Sequence, residues 1–329
     1  MFNQEQLDAA VAAGALPADE AAALRNFIDQ RRASPAVDEE EFRLVTSFND
    51  IFVTIAILIT AYAATALLGG LSMIGLAALG WFLSVPFVRR RRMALPGIVL
   101  AIMFVLSVAG QVGALTDTAF AATLAALAAA YAHWRTFRVP VTVAAGCWAV
   151  VIAIVQTRDG QQLFEVGTLG LLLACGIGVF ALAMWWDMRD PRRVTRSSDV
   201  AFWLHLQASP LIIHSAFWLS GLPKLSMTSG GAALILGLYG LIAMLAVLID
   251  RRAMLVSAMA YALWALGQLV YRTGDLSVTF PASLLIVGSL LLLLSAFWHR
   301  VRRTLVSPLP AGVRRFLPAL DRLSPAPAA

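Results

Sequence analysis

The sequence predicts an all-α, polytopic transmembrane helical bundle of about ten spans, with both termini cytoplasmic and a small soluble helical hairpin at the N-terminus. Three observations predict it. The chain is 60% hydrophobic and 13% charged, where soluble domains carry about 25% charged residues, and its apolar runs repeatedly approach the ~20 residues that cross a bilayer as helix. Arginines gather in alternate loops. The acids gather at the start: residues 1–50 hold four Arg and ten Asp or Glu, a net −6, and the remainder holds 21 Lys or Arg and nine acids, a net +12.

Residues 1–48 read as an acidic cytoplasmic domain. Asn3 caps a helix that Gly14 ends, and Pro17 opens a second helix with acids in its first turn and Arg31 and Arg32 in its last, matching the helix dipole. Leu7, Ala10 and Val11 can meet Ala23, Leu24, Phe27 and Ile28 across the turn, forming an αα-hairpin. Ser34-Pro35 breaks the chain, and the acid run Asp38–Glu41 opens a connecting helix. A DNA-binding helix-turn-helix is the alternative; its phosphate contacts would need positive charge, which this region lacks, so no nucleic-acid partner is expected. No signal peptide is expected either, because this stretch has no apolar core.

Residues 49–299 contain the spans, at about 51–69, 71–88, 95–115, 118–134, 139–157, 164–186, 199–222, 230–249, 252–271 and 277–298. Gly69-Gly70 leaves almost no loop between the first two, so whether residues 51–88 make two full spans is open. The loops on one side hold fifteen arginines: Arg89–Arg92, Arg135, Arg138, Arg189, Arg192, Arg193, Arg196, Arg251, Arg252, Arg300, Arg302 and Arg303. The opposite loops hold only Arg158, Lys224 and Arg272. The positive-inside rule therefore puts both termini in the cytoplasm, and Trp134, Trp185, Trp186, Trp203 and Trp298 fall near the inner ends as interfacial aromatics. One lysine among 25 basic residues points to a GC-rich bacterial genome, hence to a bacterial inner membrane. The arginine-rich loops and the basic, Pro- and Ala-rich tail 300–329 would meet anionic inner-leaflet lipids. In that tail Val313, Phe316, Leu317 and Leu320 share a face, as in a short interfacial helix; a disordered tail is the alternative.

The seventh run, DVAFWLHLQASPLIIHSAFWLSGL from Asp199 to Leu222, carries the most polar groups. Trp203, Gln207, Pro210, His214 and Trp218 fall on one helical face and His205 points away. Pro210 removes the amide that would bond to Leu206 O, predicting a kink or opening. Counted from the inner ends, Gln111, Gln156, His214 and Gln268 all reach about 20–24 Å into the membrane, and Glu165 begins the sixth span near that level. A polar layer lining an outward-facing cavity, with Gln207 as a further contact, is the functional reading. Helix-to-helix hydrogen bonding is the plainer one. No carboxylate lies deep in a span, which argues against strong ion coupling. Gly176, Gly178, Gly237 and Gly240 permit close packing.

Catalytic signatures such as GxxxxGK[ST], HExxH, CxxC and GxSxG in a strand–turn–helix setting are missing. Cys147 and Cys175 lie in apolar runs and form no metal-ligand spacing. Haem or metal would have to use His133, His205, His214 or His299. The first and last sit at headgroup level, and His205 and His214 are about 13 Å apart on opposite faces. No cofactor and no catalytic residue is expected.

The opening FNQEQLDAAVAAGALPADEAAALRNFIDQRR, followed by spans from Ile51, resembles uncharacterised bacterial multispanning membrane proteins with an N-terminal cytoplasmic helical hairpin, classed under domains of unknown function. The resemblance covers about the first seventy residues and the layout, and it transfers no site residue. Ten spans with both ends inside also look like drug/metabolite exporters, which pair inverted five-span halves. Residues 51–157 and 164–298 could be such halves, but no matching residue pattern links them. The expectation is a non-enzymatic partner-binding, sensor or scaffold protein whose residues 1–48 meet a cytoplasmic partner. The alternative is a small-solute permease using Gln111, Gln156, Glu165, Gln207, His214 and Gln268.

Overall fold

The computed structural model describes residues 10–24, 48–157, 165–190, 195–221, 229–252, 254, 255, 259, 263, 279–314 and 317. The chain divides into two compact units, one made of residues 1–41 with 319–329 and the other of residues 42–318.

In the first unit, residues 10–12 and 18–24 are helical. Gly14 takes a left-handed conformation (φ +68°), which lets Gly14 N bond to Val11 O and Ala15 N to Ala10 O and so ends the first helix. Pro17 O accepts from Ala21 N at the start of the second. The turn is the one the sequence predicts.

Among the described residues of the second unit, all regular structure is helical: α1 (Phe48–Leu68), α2 (Ser72–Ser84), α3 (Ala94–Thr116), α4 (Ala119–Phe137), α5 (Val141–Gln156), α6 (Val166–Arg189), α7 (Arg196–Leu219), α8 (Ser229–Leu248), α9 (Thr279–Val306) and the single turn α10 (Ala311–Arg314). These match the predicted apolar runs one for one, except that the ninth run, 252–271, lies almost wholly outside the described residues. Five helical stretches are long and apolar enough to cross a membrane: Phe48–Arg90, Ala94–Thr116, Val166–Arg189, Arg196–Leu219 and Leu284–Val306. That is fewer than the ten expected. Phe48–Arg90 takes two predicted runs as one stretch, and the 16 residues of α5 are fewer than the ~20 that span ~30 Å. His133, Trp134 and Arg135 lower the hydropathy of α4. The described apolar part of α8, Gly237–Leu248, is short, and the ninth run lies almost wholly outside the described residues.

The first hairpin is resolved by packing. The helical stretch from Phe48 to Arg90 has 43 residues and would reach about 65 Å if straight. Instead Val53 and Ile57 of α1 share one core cluster with Leu83 of α2, with Phe87 just beyond it, and with Leu100 of α3. The chain therefore reverses at Gly69, whose φ of +51° admits the turn. After α2 a π-helical turn runs over Val85–Arg90, where Pro86 cannot donate and Arg91 N reaches back to Pro86 O at 3.1 Å.

Close approach depends on two glycines. A Cβ on Gly80 would meet Leu100 O at 2.9 Å, so α2 and α3 touch backbone to backbone; one on Gly176 would meet Leu211 Cβ at 2.9 Å, so α6 and α7 do likewise. Gly178, Gly237 and Gly240, expected to act similarly, have nothing within 4 Å of that position. They face away from the described neighbours.

The core centres on α7. Of its apolar stretch 61% is inside the protein, against 6–28% for the other four long stretches. Val200, Leu204, Ala208 and Leu211 pack with Val179 and Ala183 of α6 and Ala144 and Val151 of α5. The outer faces of α1 and α9 present Phe52, Ile59, Tyr62, Leu285, Leu290 and Leu292 outward, an apolar surface suited to lipid rather than water.

Candidate functional site

The polar residues singled out from the sequence are placed separately. Gln111 of α3 is half-buried and Glu165, at the N-cap of α6, is exposed. Gln156, the last residue of α5, accepts a hydrogen bond from Thr123 Oγ1 of α4 at 3.3 Å. His214 is half-buried, its ring 6.3 Å from that of Trp218 one turn on. Gln268 lies outside the described residues. α7 runs helical through Pro210 to Leu219, so the chain does not unwind there.

Gln207 is buried against α5. With its amide turned so that each atom meets a complementary group, Nε2 donates to Ala144 O (3.1 Å) and Oε1 accepts from Trp148 N (3.0 Å). These atoms are one turn apart on α5, so the side chain bridges the backbone ladder of its neighbour. That is helix-to-helix hydrogen bonding, the plainer of the two readings open for it.

Beside Gln207 a cavity of about 640 Å³ opens between α3, α4, α5 and α7. Its walls are Val105, Ala126, Ala145, Ala149 and similar apolar side chains, with Thr123, Trp148, Trp203 and Gln207 as the members bearing polar atoms. Of the six predicted cavity residues, Gln207 lines it and the other described ones do not. The space is apolar where a polar layer was expected. Gln156 bonds to Thr123 of α4 and His214 packs beside Trp218, and Gln111 is not among the walls.

The densest polar constellation lies elsewhere, at the arginine-bearing ends of α6 and α7. Asp187 of α6 is buried, and its Oδ2 accepts from His205 Nε2 at 3.0 Å and from Arg251 Nε at 3.1 Å. Arg251 also donates to Asp187 Oδ1 and, at 3.3 Å, to Ser198 O and Oγ. A carboxylate has only acceptors, so His205 carries its proton on Nε2. Beside it, Asp250 accepts from Trp298 Nε1 at 2.7 Å and has Arg302 Nε at 4.0 Å. Ser209 Oγ donates to Met254 O at 2.9 Å. Asp190 closes the 190–195 loop by accepting from Thr195 N and Oγ1 at 2.7 and 2.6 Å. Together these bonds tie the arginine-bearing ends of α6, α7 and α9 to the turn after α8, where Asp250 is left-handed (φ +56°).

This cluster is not legible in the sequence. Arg251 reads there as one of the loop arginines that meet anionic lipid, yet it is 1% exposed. Asp187, His205 and Arg251 are separated by 18 and 46 positions, and no local spacing announces them. The available signal is a set of acids, Asp187, Asp190 and Asp250, lying where arginines otherwise collect. His133, expected among headgroups, is likewise fully buried: its Nε2 is 3.3 Å from Ser84 Oγ, and Trp81, Phe104 and Phe137 surround the ring.

Chemically, the ion cluster holds a fixed geometry. Ser198 Oγ accepts from Arg251 Nη2 at 3.3 Å. No protein-family model, curated protein or solved structure matches this chain.

Proposed function

We propose that this chain is a multispanning membrane protein that serves as a non-enzymatic scaffold or sensor, its acidic N-terminal hairpin meeting a cytoplasmic partner and its helices forming a fixed platform. In this reading the chain crosses a bacterial inner membrane ten times, with both termini in the cytoplasm and the arginine-rich loops against anionic lipid. The observation that carries it is how the polar groups are used. Gln207, Thr123 and Gln156 are engaged in helix-to-helix bonds, and Asp187, His205 and Arg251 lock helix ends together. A polar-solute permease would instead need polar groups converging on a wet cavity.

Deleting residues 1–48 tests the reading. The truncated bundle is expected to insert in the membrane at normal abundance while reproducing the phenotype of complete gene loss. A truncation that retains full function overturns it.

A further inference from the structure

We infer that the apolar cavity is a lipid site, seating one acyl chain of an anionic phospholipid whose headgroup rests at Arg138. The proposal stands independently of any soluble partner.

The shape of the cavity selects a chain. It follows α5 from Val141 to Ile152, about 16 Å at 1.5 Å per residue, which is close to half of the ~30 Å hydrocarbon layer. Its volume of about 640 Å³ falls within the ~300–1,000 Å³ of small-molecule pockets. Ile102, Leu106, Trp148 and Ile152 line the cavity and are at the same time 39–65% exposed at the protein's outer surface. The cavity therefore opens sideways, toward the hydrocarbon.

Two of the polar wall residues are already bonded within the protein. Thr123 Oγ1 donates to Ala119 O at 2.9 Å and contacts Gln156 Oε1, and both ends of the Gln207 amide are bonded to α5. A polar solute entering here would shed its water and find these groups already committed. A methylene chain loses nothing by entering.

The charge sits at one end. Val141 and Trp203 pack in one cluster and mark the end of the cavity nearest the α4–α5 turn. Three residues before Val141, exposed Arg138 ends α4 in the left-handed conformation (φ +53°), with exposed Arg135 one turn earlier. A chain held in the cavity with its glycerol end at Val141 brings its phosphate to these guanidinium groups, which favours an anionic headgroup over a zwitterionic one.

Native mass spectrometry of the full chain tests this, after reconstitution with equimolar phosphatidylglycerol and phosphatidylcholine of the same tails and extraction in mild detergent. The wild type is expected to retain one phosphatidylglycerol per chain. Ala145→Phe, which fills the cavity, is expected to lower retention of both lipids roughly tenfold. Arg138→Gln keeps the chain and lowers the preference for phosphatidylglycerol about fivefold. If Ala145→Phe fails to fold, as judged by its unfolding midpoint, Ala126→Leu on the facing wall gives the same readout. A wild type that retains no lipid, or a folded cavity-filling variant that retains lipid as the wild type does, overturns the site. Equal retention of the two lipids by the wild type overturns the headgroup assignment.

Discussion

Asp187 has donors from two sides and no water to replace them, so its removal strands two buried cationic or polar partners. Asp187→Ala is expected to destabilise the protein by about 3–5 kcal/mol, the usual penalty for leaving one member of a buried pair uncompensated. Replacing the pair together, Asp187→Leu with Arg251→Met, is expected to recover most of that loss, since apolar isosteres of buried ion pairs are often neutral. Thermal unfolding midpoints in detergent measure both, and equal midpoints for Asp187→Ala and the wild type would show the cluster to be inert. Gln207 contrasts with it. The α5 atoms it bonds, Ala144 O and Trp148 N, are one turn apart and can pair with each other when the amide is gone. Gln207→Leu is therefore expected to cost about 0.6 kcal/mol, the average for a hydrogen bond between membrane helices. A loss of several kcal/mol would mean the amide does more than join two helices.

At the scale of the element, the α6–α7 and α2–α3 contacts depend on the absence of a side chain. The Cβ of Gly176→Ala would press on Leu211 Cβ and Ile212 Cγ1 at 2.9 Å and on Ile212 N at 3.0 Å. Backbone cannot move aside as a flexible side-chain tip can, so the helices must separate. The expected destabilisation is about 1–3 kcal/mol, as for other overpacked interiors. Gly178→Ala, two positions on and facing open space, is expected to be harmless or slightly stabilising through helix propensity. Unfolding of the two variants side by side gives the comparison, and equal effects would deny the close contact. The sequence identified Gly176 but offered no means of separating it from Gly178, because which face of α6 meets α7 is set by the partner helix.

Across the whole molecule, the open matter is how many helices cross the bilayer, and α4 decides it most directly. Its 19 residues reach about 28 Å, enough to cross, yet TLAALAAAYA is weakly hydrophobic. Cysteines introduced at Thr118 and Arg138, which flank α4, are expected to react with an impermeant thiol reagent from opposite faces of sealed vesicles. Labelling from the same face would leave α4 at the interface and reduce the crossing count. The arginine asymmetry favours opposite faces, because Arg135 and Arg138 close α4 whereas Asp117 precedes it.

The sequence by itself determined the helical class, the limits of nearly every described helix and the turn at Gly14. These follow from local causes: apolar run length, left-handed glycine, and arginine at helix ends. It also singled out the seventh run as central, since a helix carrying His205, Gln207 and His214 through lipid needs neighbours to enclose them. Tertiary structure alone decided what those polar groups do. Gln207 bonds α5, His205 faces Asp187, and Arg251 leaves the surface to complete that pair. The physical reason is that a hydrogen-bond partner 64 positions away, as Arg251 is from Asp187, is chosen by how helices pack, and packing is a property of several faces at once that no periodicity along one strand of sequence contains.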